Sequence, residues 1–178
     1  KLTVAMNESY WTASISGKKE DYDACSLIQE KLQNIFNSKE DFEKLKEFRK
    51  LNIDDEVLKR TVEVLYLYYL SAQGDASLLN EILKKSTDIE HKFSNYRAII
   101  DEKKHSDNEI NDILKNETDS NKLRAAWEAN KLQGEFVSKD LIELVKLRNV
   151  LARENGFNNY YEMSLFCSEQ NEKEVSDV

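Results

Sequence analysis

The chain of 178 residues contains no proline and only four glycines, at positions 17, 74, 134 and 156. Proline removes a backbone donor and clashes with the preceding turn, so its absence lets helices run long, and four glycines suffice only as stops. Cysteine is almost as scarce. Cys25 and Cys167 make neither a disulfide framework nor a Cys-x-x-Cys metal or redox pattern. Both read as small core or near-core residues, with one long-range disulfide left open for an exported protein. The two histidines, His91 and His105, lie fourteen positions apart, so no imidazole pair sits one helical turn apart. No apolar run approaches the roughly 20 residues of a membrane span, and no signal peptide is visible at Lys1. Phosphate-binding glycine loops, nucleophile elbows and 20- to 50-residue repeats are missing as well.

What is present is charge mixed with apolar residues at helical spacing. Charged residues make up 34% of the chain and hydrophobic ones 40%, with a mean hydropathy of -0.69. That balance suits amphipathic helices with solvated outer faces, and the aromatic content argues against disorder. The net charge is -8 and the basic residues alternate with acids, which excludes the clustered cations that nucleic-acid binding requires. The expectation is an all-α fold, an elongated bundle of about nine helices.

Periodicity and capping residues place those helices. Leu2–Ile15 aligns Val4, Ala5, Trp11 and Ile15 on one face and stops at Gly17, with Trp11 as a packing anchor. Asp21–Asn37 is amphipathic through Ala24, Leu27, Ile28, Leu32, Ile35 and Phe36. Ser38, with Asp41 three residues on, caps a short helix carrying Phe42, Leu45 and Phe48. Asp54 or Asp55 caps the next, whose run Val62–Leu70 is apolar all round; burial on more than one side is expected, at the centre of the bundle. Beyond Gly74, Asp75 caps a helix read as one rod of some 30 residues, about 45 Å, from Leu78 to Ile100. His91 falls beside Glu90, off the Ile89, Phe93, Tyr96 stripe, and reads as a rim residue. His105 reads as a helix-end residue favouring the C-terminal dipole. Ser106 and Glu109 form a capping box for Ile110–Leu114.

Residues 119–166 read as three capped helices in a row. Ser120 starts the first, which carries Leu123, Ala126, Trp127 and Asn130 and stops at Gly134. Ser138 restarts the chain, with Val137 and Ile142 as a hydrophobic staple, and Gly156 ends the second helix. Asn159 and Glu162 cap the third, whose apolar residues are Tyr160, Met163, Leu165 and Phe166.

The pattern W-E-A-x-K-x-x-G, then L-x-x-L-V-x-L-R-N-x-x-A-R-x-x-G-F-x-N-Y-Y, from Trp127 to Tyr161, resembles the N-terminal helical half of zinc metallopeptidases related to angiotensin-converting enzyme and to oligoendopeptidase F. Tyr10–Ala13 with Ser16-Gly17 is similar to that family's opening Trp-containing helix, and Ser106–Ile110 to a linker before its central helices. The resemblance covers most of the chain and is patchy from Leu27 to Val62.

It implies a His-Glu-x-x-His helix in which two imidazoles hold zinc and the glutamate activates the bound water. This sequence lacks that motif. The expectation is therefore a single helical subdomain over 1–178, a fragment, with 119–166 its best-matched segment. It would form the non-catalytic N-terminal part of an oligopeptidase or peptidyl-dipeptidase, walling a channel that admits short peptides. The fragment itself would be inactive, with no catalytic, metal or cofactor residue assigned to it and its substrate contacts unassigned. Zinc would belong to a missing C-terminal catalytic half, the chain's expected partner, with peptides as substrates and self-association of the fragment open. No Arg follows Arg153, so the family's chloride-binding arginine is not carried over. Arg148 and Asn149 match family positions and read as polar residues bonding between helices.

The alternative is a stand-alone helical interaction module; a small independent enzyme has no convergent titratable set to support it. Residues Ser168–Val178 are acidic and thin in apolar side chains, which reads as no domain end. The chain opens on Lys1, leaving both a cytoplasmic and an exported, leader-cleaved protein open.

Overall fold

A computed structural model describes residues 1–177. Among them are nine helices and one small hairpin: α1 (Leu2–Ser16), α2 (Lys19–Phe36), α3 (Lys39–Phe48), α4 (Glu56–Ser71), α5 (Ala76–Ser94), β1 (Ala98–Ile100), β2 (Lys103–His105), α6 (Asp107–Asn116), α7 (Ser120–Glu154), α8 (Tyr160–Cys167) and α9 (Glu172–Ser176). The fold is an all-α bundle. Most expected caps form: Ser38 accepts from Asp41 N, Asp55 from Leu58 N and Asp75 from Ser77 and Leu78 N. Ser106 and Glu109 complete the reciprocal capping box. Gly17 closes α1 at φ 65, its N–H donating to Ala13 O, and Gly156 turns the chain after α7 at φ 86. Both are left-handed conformations that favour glycine.

The bundle is organised on α7. Its 35 residues make a rod of about 52 Å. Ala126, Gln133, Val137, Leu144 and Leu151 all fall on one stripe and are buried. The N-terminal third packs on α6 and the hairpin, the middle on α5, and the C-terminal end on α8. The α1–α2 pair docks on α5 through α2, and α3 covers one side of α4. A tight cluster at one end joins Ile110, Ala98, Ala126 and Ala129, with Tyr96, Ile100 and Ile113 packed around it.

Several local expectations are overturned. Residues 120–154 are one helix, not two: Gly134 sits in its interior, and the Ser138 hydroxyl donates back to Glu135 O at 2.9 Å instead of capping. A glycine in mid-helix costs about 1 kcal/mol against alanine. Burial of Gln133 and Val137 on either side of it offsets that cost, and Gln133 donates to Phe93 O at 2.8 Å. The helix is capped by Asp119, one residue before Ser120.

The rod from Asp75 ends at Ser94, not Ile100. Asn95 folds its amide over the exit, donating to His91 O and Gly17 O at 3.0 Å each. The chain then forms an antiparallel hairpin pairing Ala98 with His105 and Ile100 with Lys103. Its two turn residues, Asp101 at φ 49 and Glu102 at φ 63, are both left-handed. That turn matches strand twist but lacks the Asn-Gly signature that would have announced it. His105 is consequently a strand residue, not a helix-end one.

The apolar helix α4 is not central: only Val62 and Leu70 are buried, while Val57 is 78% and Tyr68 58% exposed. Its partners, α3, α8 and Phe36 at the end of α2, leave the face of Val57 and Leu65 open. Trp11 anchors nothing, at 69% exposed, because α1 approaches its neighbour through the small Ala13. Glu162, finally, accepts from Asn158 N and Nδ2 at 2.9 and 2.8 Å, so the capping at Asn159 is one-way.

Candidate functional site

The titratable residues that chemistry would recruit are scattered. His91 lies on α5 with its ring edge-on to Tyr22, centroids 5.2 Å apart, while His105 lies on β2. Among the described residues no group of three or more His, Cys, Asp or Glu side chains converges on a point where a metal ion would sit. The residues at hand do not fit the zinc centre that the resemblance implies.

Cys25 and Cys167 are both free thiols, on α2 and at the end of α8. Burial pushes the Cys25 thiol up, with the charge of Glu90 adding to it, and burial alone raises Cys167. Nucleophilic and ligand chemistry both need the thiolate, which these surroundings disfavour. The Glu90 carboxylate holds the Tyr10 phenol above its ordinary value as well.

The surface is more informative. On α4, Val57, Thr61, Val64, Leu65 and Tyr68 line one side of the helix, forming an open groove of about 460 Å³. Next to it a second hollow of about 320 Å³ runs from Val64 and Leu67 to Cys167 and Glu169. An ion pair between Arg60 and Glu169 closes the boundary between them. The reverse side of α4 is the covered one, where Phe42 stacks on Tyr66 at 5.4 Å and Arg49 lies over the same ring at 3.8 Å while bonding Glu63 at 3.0 Å. An apolar run on an exposed helix face is unusual for a free-standing helix, since such a face ordinarily packs against another element.

A third groove, about 410 Å³, lies where α7 meets α8, between Val145, Arg148, Asn149, Tyr160 and Tyr161. The Leu-Arg-Asn segment builds it: Asn149 Oδ1 accepts from Tyr160 N at 2.9 Å, setting the start of α8, and Arg148 Nη2 donates to Ser86 Oγ of α5 at 3.2 Å. These two residues tie α7 to two other helices, and Arg148 also lies over the Tyr160 ring at 5.1 Å. Periodicity could identify them as polar positions within a packed helix; it carried no sign that they border a groove.

A family model described as angiotensin-converting enzyme matches residues 1–177. The chain belongs to the angiotensin-converting enzyme family of peptidases. Neither a curated protein nor a solved structure matches it. Within that family, the Trp127–Tyr161 pattern corresponds here to the long α7, its turn at Gly156 and the start of α8. The motif's Gly134 lies inside the rod, and its Arg148 and Asn149 sit at the junction with α5 and α8.

Proposed function

We propose that this chain is the non-catalytic N-terminal helical part of a zinc metallopeptidase of oligopeptidase or peptidyl-dipeptidase type. Residues 1–178 act as one helical subdomain, although Val178 lies outside the described residues. Its helices wall a channel that admits short, extended peptides. The zinc, its ligands and the general base belong to a catalytic part of the same protein, and no chemical step is carried by the residues present here.

The observation that carries this reading is the outward apolar face of α4, Val57, Leu65 and Tyr68, on a chain that the family model matches along its length. Burying such a face against a neighbour is favourable by roughly 25 cal/mol for each Å² of apolar surface. The missing His-Glu-x-x-His helix, with His91 and His105 on separate elements, supports the same division of labour.

The test is to sequence the reading frame beyond Val178, express the long and the 178-residue forms, and measure bound zinc and peptide hydrolysis in both. The expected result is a downstream His-Glu-x-x-His motif, with zinc and hydrolysis in the long form alone. A stop codon near Val178 sinks the proposal and promotes the stand-alone interaction module, for which the α4 groove would be the partner surface.

A further inference from the structure

Among the described residues, Arg148 holds the one buried side-chain polar atom that has no hydrogen-bond partner, its Nε. The side chain is partly enclosed between α5, α7 and α8. Its single hydrogen bond among the described residues goes to a neutral hydroxyl, Ser86 Oγ, and its Cζ lies 5.1 Å from the centroid of the neutral Tyr160 ring. Two acids on the helices that meet at this groove are engaged elsewhere: Glu143 of α7 pairs with Lys85 at 2.7 Å, and Glu162 of α8 accepts from Asn158. A guanidinium taken partly out of water without a carboxylate keeps the desolvation cost of its charge and gains none of the attraction that ordinarily repays it.

The groove beside it has the complementary character. Val145 and Tyr161, 46% and 51% exposed, supply apolar walls, and Asn149 and Ser164 add polar edges. A ligand that satisfies this site carries a carboxylate, for the flat fork of the guanidinium, on a body with apolar flanks.

We infer that the α7–α8 groove is a docking surface for a polypeptide segment that presents a Glu or Asp side chain between apolar residues, with that carboxylate pairing with Arg148. The inference rests on the proposed function in one respect: the segment belongs to the remainder of the peptidase. Charge complementarity decides the occupant, because an apolar segment alone would bury the guanidinium still further without a partner.

The experiment titrates the isotope-labelled 178-residue chain with three capped tripeptides while following the Arg148 Nε–Hε and Tyr161 resonances. Acetyl-Leu-Glu-Leu-amide should shift both signals saturably. Acetyl-Leu-Gln-Leu-amide, of the same shape without the charge, should bind about ten-fold more weakly or worse, the worth of one charge-assisted hydrogen bond. Equal affinity for the two would overturn the pairing. Binding of acetyl-Leu-Gln-Leu with a free carboxyl end alone would make the groove a terminal-carboxylate pocket and overturn the side-chain assignment.

Arg148→Gln should abolish discrimination between the Glu and Gln peptides. Because that change also removes the bond to Ser86, Val145→Asp is the second variant: it places an acid on an exposed position one turn before Arg148 and should block the Glu peptide with the fold intact. Unchanged binding in Val145→Asp would overturn the proposal. None of these readouts needs the catalytic part, so a failed titration leaves the proposed function standing, and a missing zinc motif downstream leaves the titration result standing.

Discussion

Helices α4 and α7 look alike in sequence and end up in opposite roles. Each carries apolar residues on more than one side, and α4 is the more apolar of the two over Val62–Leu70. Yet α7 buries Ala126, Ala129, Gln133, Val137, Leu144, Leu151 and Ala152, whereas α4 buries Val62 and Leu70 alone. The difference lies in the neighbours. Along its length α7 meets α6, the hairpin, α5 and α8, while α4 meets α3, α8 and the Phe36 end of α2 and keeps the face of Val57 and Leu65 open. Apolar content sets how much a helix gains from being covered; the packing of the other elements decides whether it is covered.

The comparison can be broken most directly at Leu144. With 3% of its surface exposed, Leu144→Ala should cost about 2–5 kcal/mol through lost transfer energy and the cavity left behind. Urea denaturation would measure it; a loss below about 1 kcal/mol would mean that α7 is not the spine.

Gly74 probes the place where the two helices come near each other. A Cβ there would lie 2.4 Å from Leu151 Cδ1, and Leu151 is itself 3% exposed with little room to give. Gly74→Ala should therefore destabilise by about 1–3 kcal/mol through overpacking. A more stable variant in thermal melts would show that the α4 exit yields.

A gentler probe is pH. Lys92 holds the Asp140 carboxyl below its ordinary range, and Lys85 does the same for Glu143, so two ion pairs tie α5 to α7. Carboxyls with depressed folded values contribute stability that is full above their unfolded range and is lost as pH falls through the folded values. Asp140→Asn should lower the melting temperature at neutral pH and converge on the unsubstituted protein at low pH, so that the acid limb of the profile flattens. An unaltered acid limb would remove Asp140 from the coupling. High salt should weaken both pairs in the same sense, because they are partly exposed.

On α4 the expected effect is smallest. Val57→Ser, at a position 78% exposed, should change stability by no more than about 0.5 kcal/mol. A large loss in the isolated chain would show that this face is already covered, for example by a second copy, and a concentration-dependent melting temperature would identify that cover.

Much of the local structure was legible before any packing was known. Ser38, Asp55, Asp75 and Ser106 are short polar side chains at helix starts, and their caps depend on neighbouring residues only. Gly17 and Gly156 were legible for the same reason. Gly134 and Ser138 carry the same local signals and were misleading, because tertiary burial of Gln133 and Val137 outweighs a glycine's cost. The hairpin was hidden because Asp101-Glu102 is a weak turn signature, stabilised by the packing of Ala98 against Ile110. Of the surfaces, the apolar residues of α4 were visible, but not that they face outward. Arg148 and Asn149 were visible as polar positions, but not that they border a groove.

By itself, then, the sequence determined an all-α chain without proline, its family pattern from Trp127 to Tyr161, and the absence of paired imidazoles. Each of these is a property of residue identity and spacing. Only the tertiary structure decided that residues 120–154 form one rod, that α4 turns its apolar face outward, and that Arg148 is left without an acid. Those outcomes depend on which side chains, far apart in the chain, compete for the same contact, and spacing along the sequence does not encode that competition.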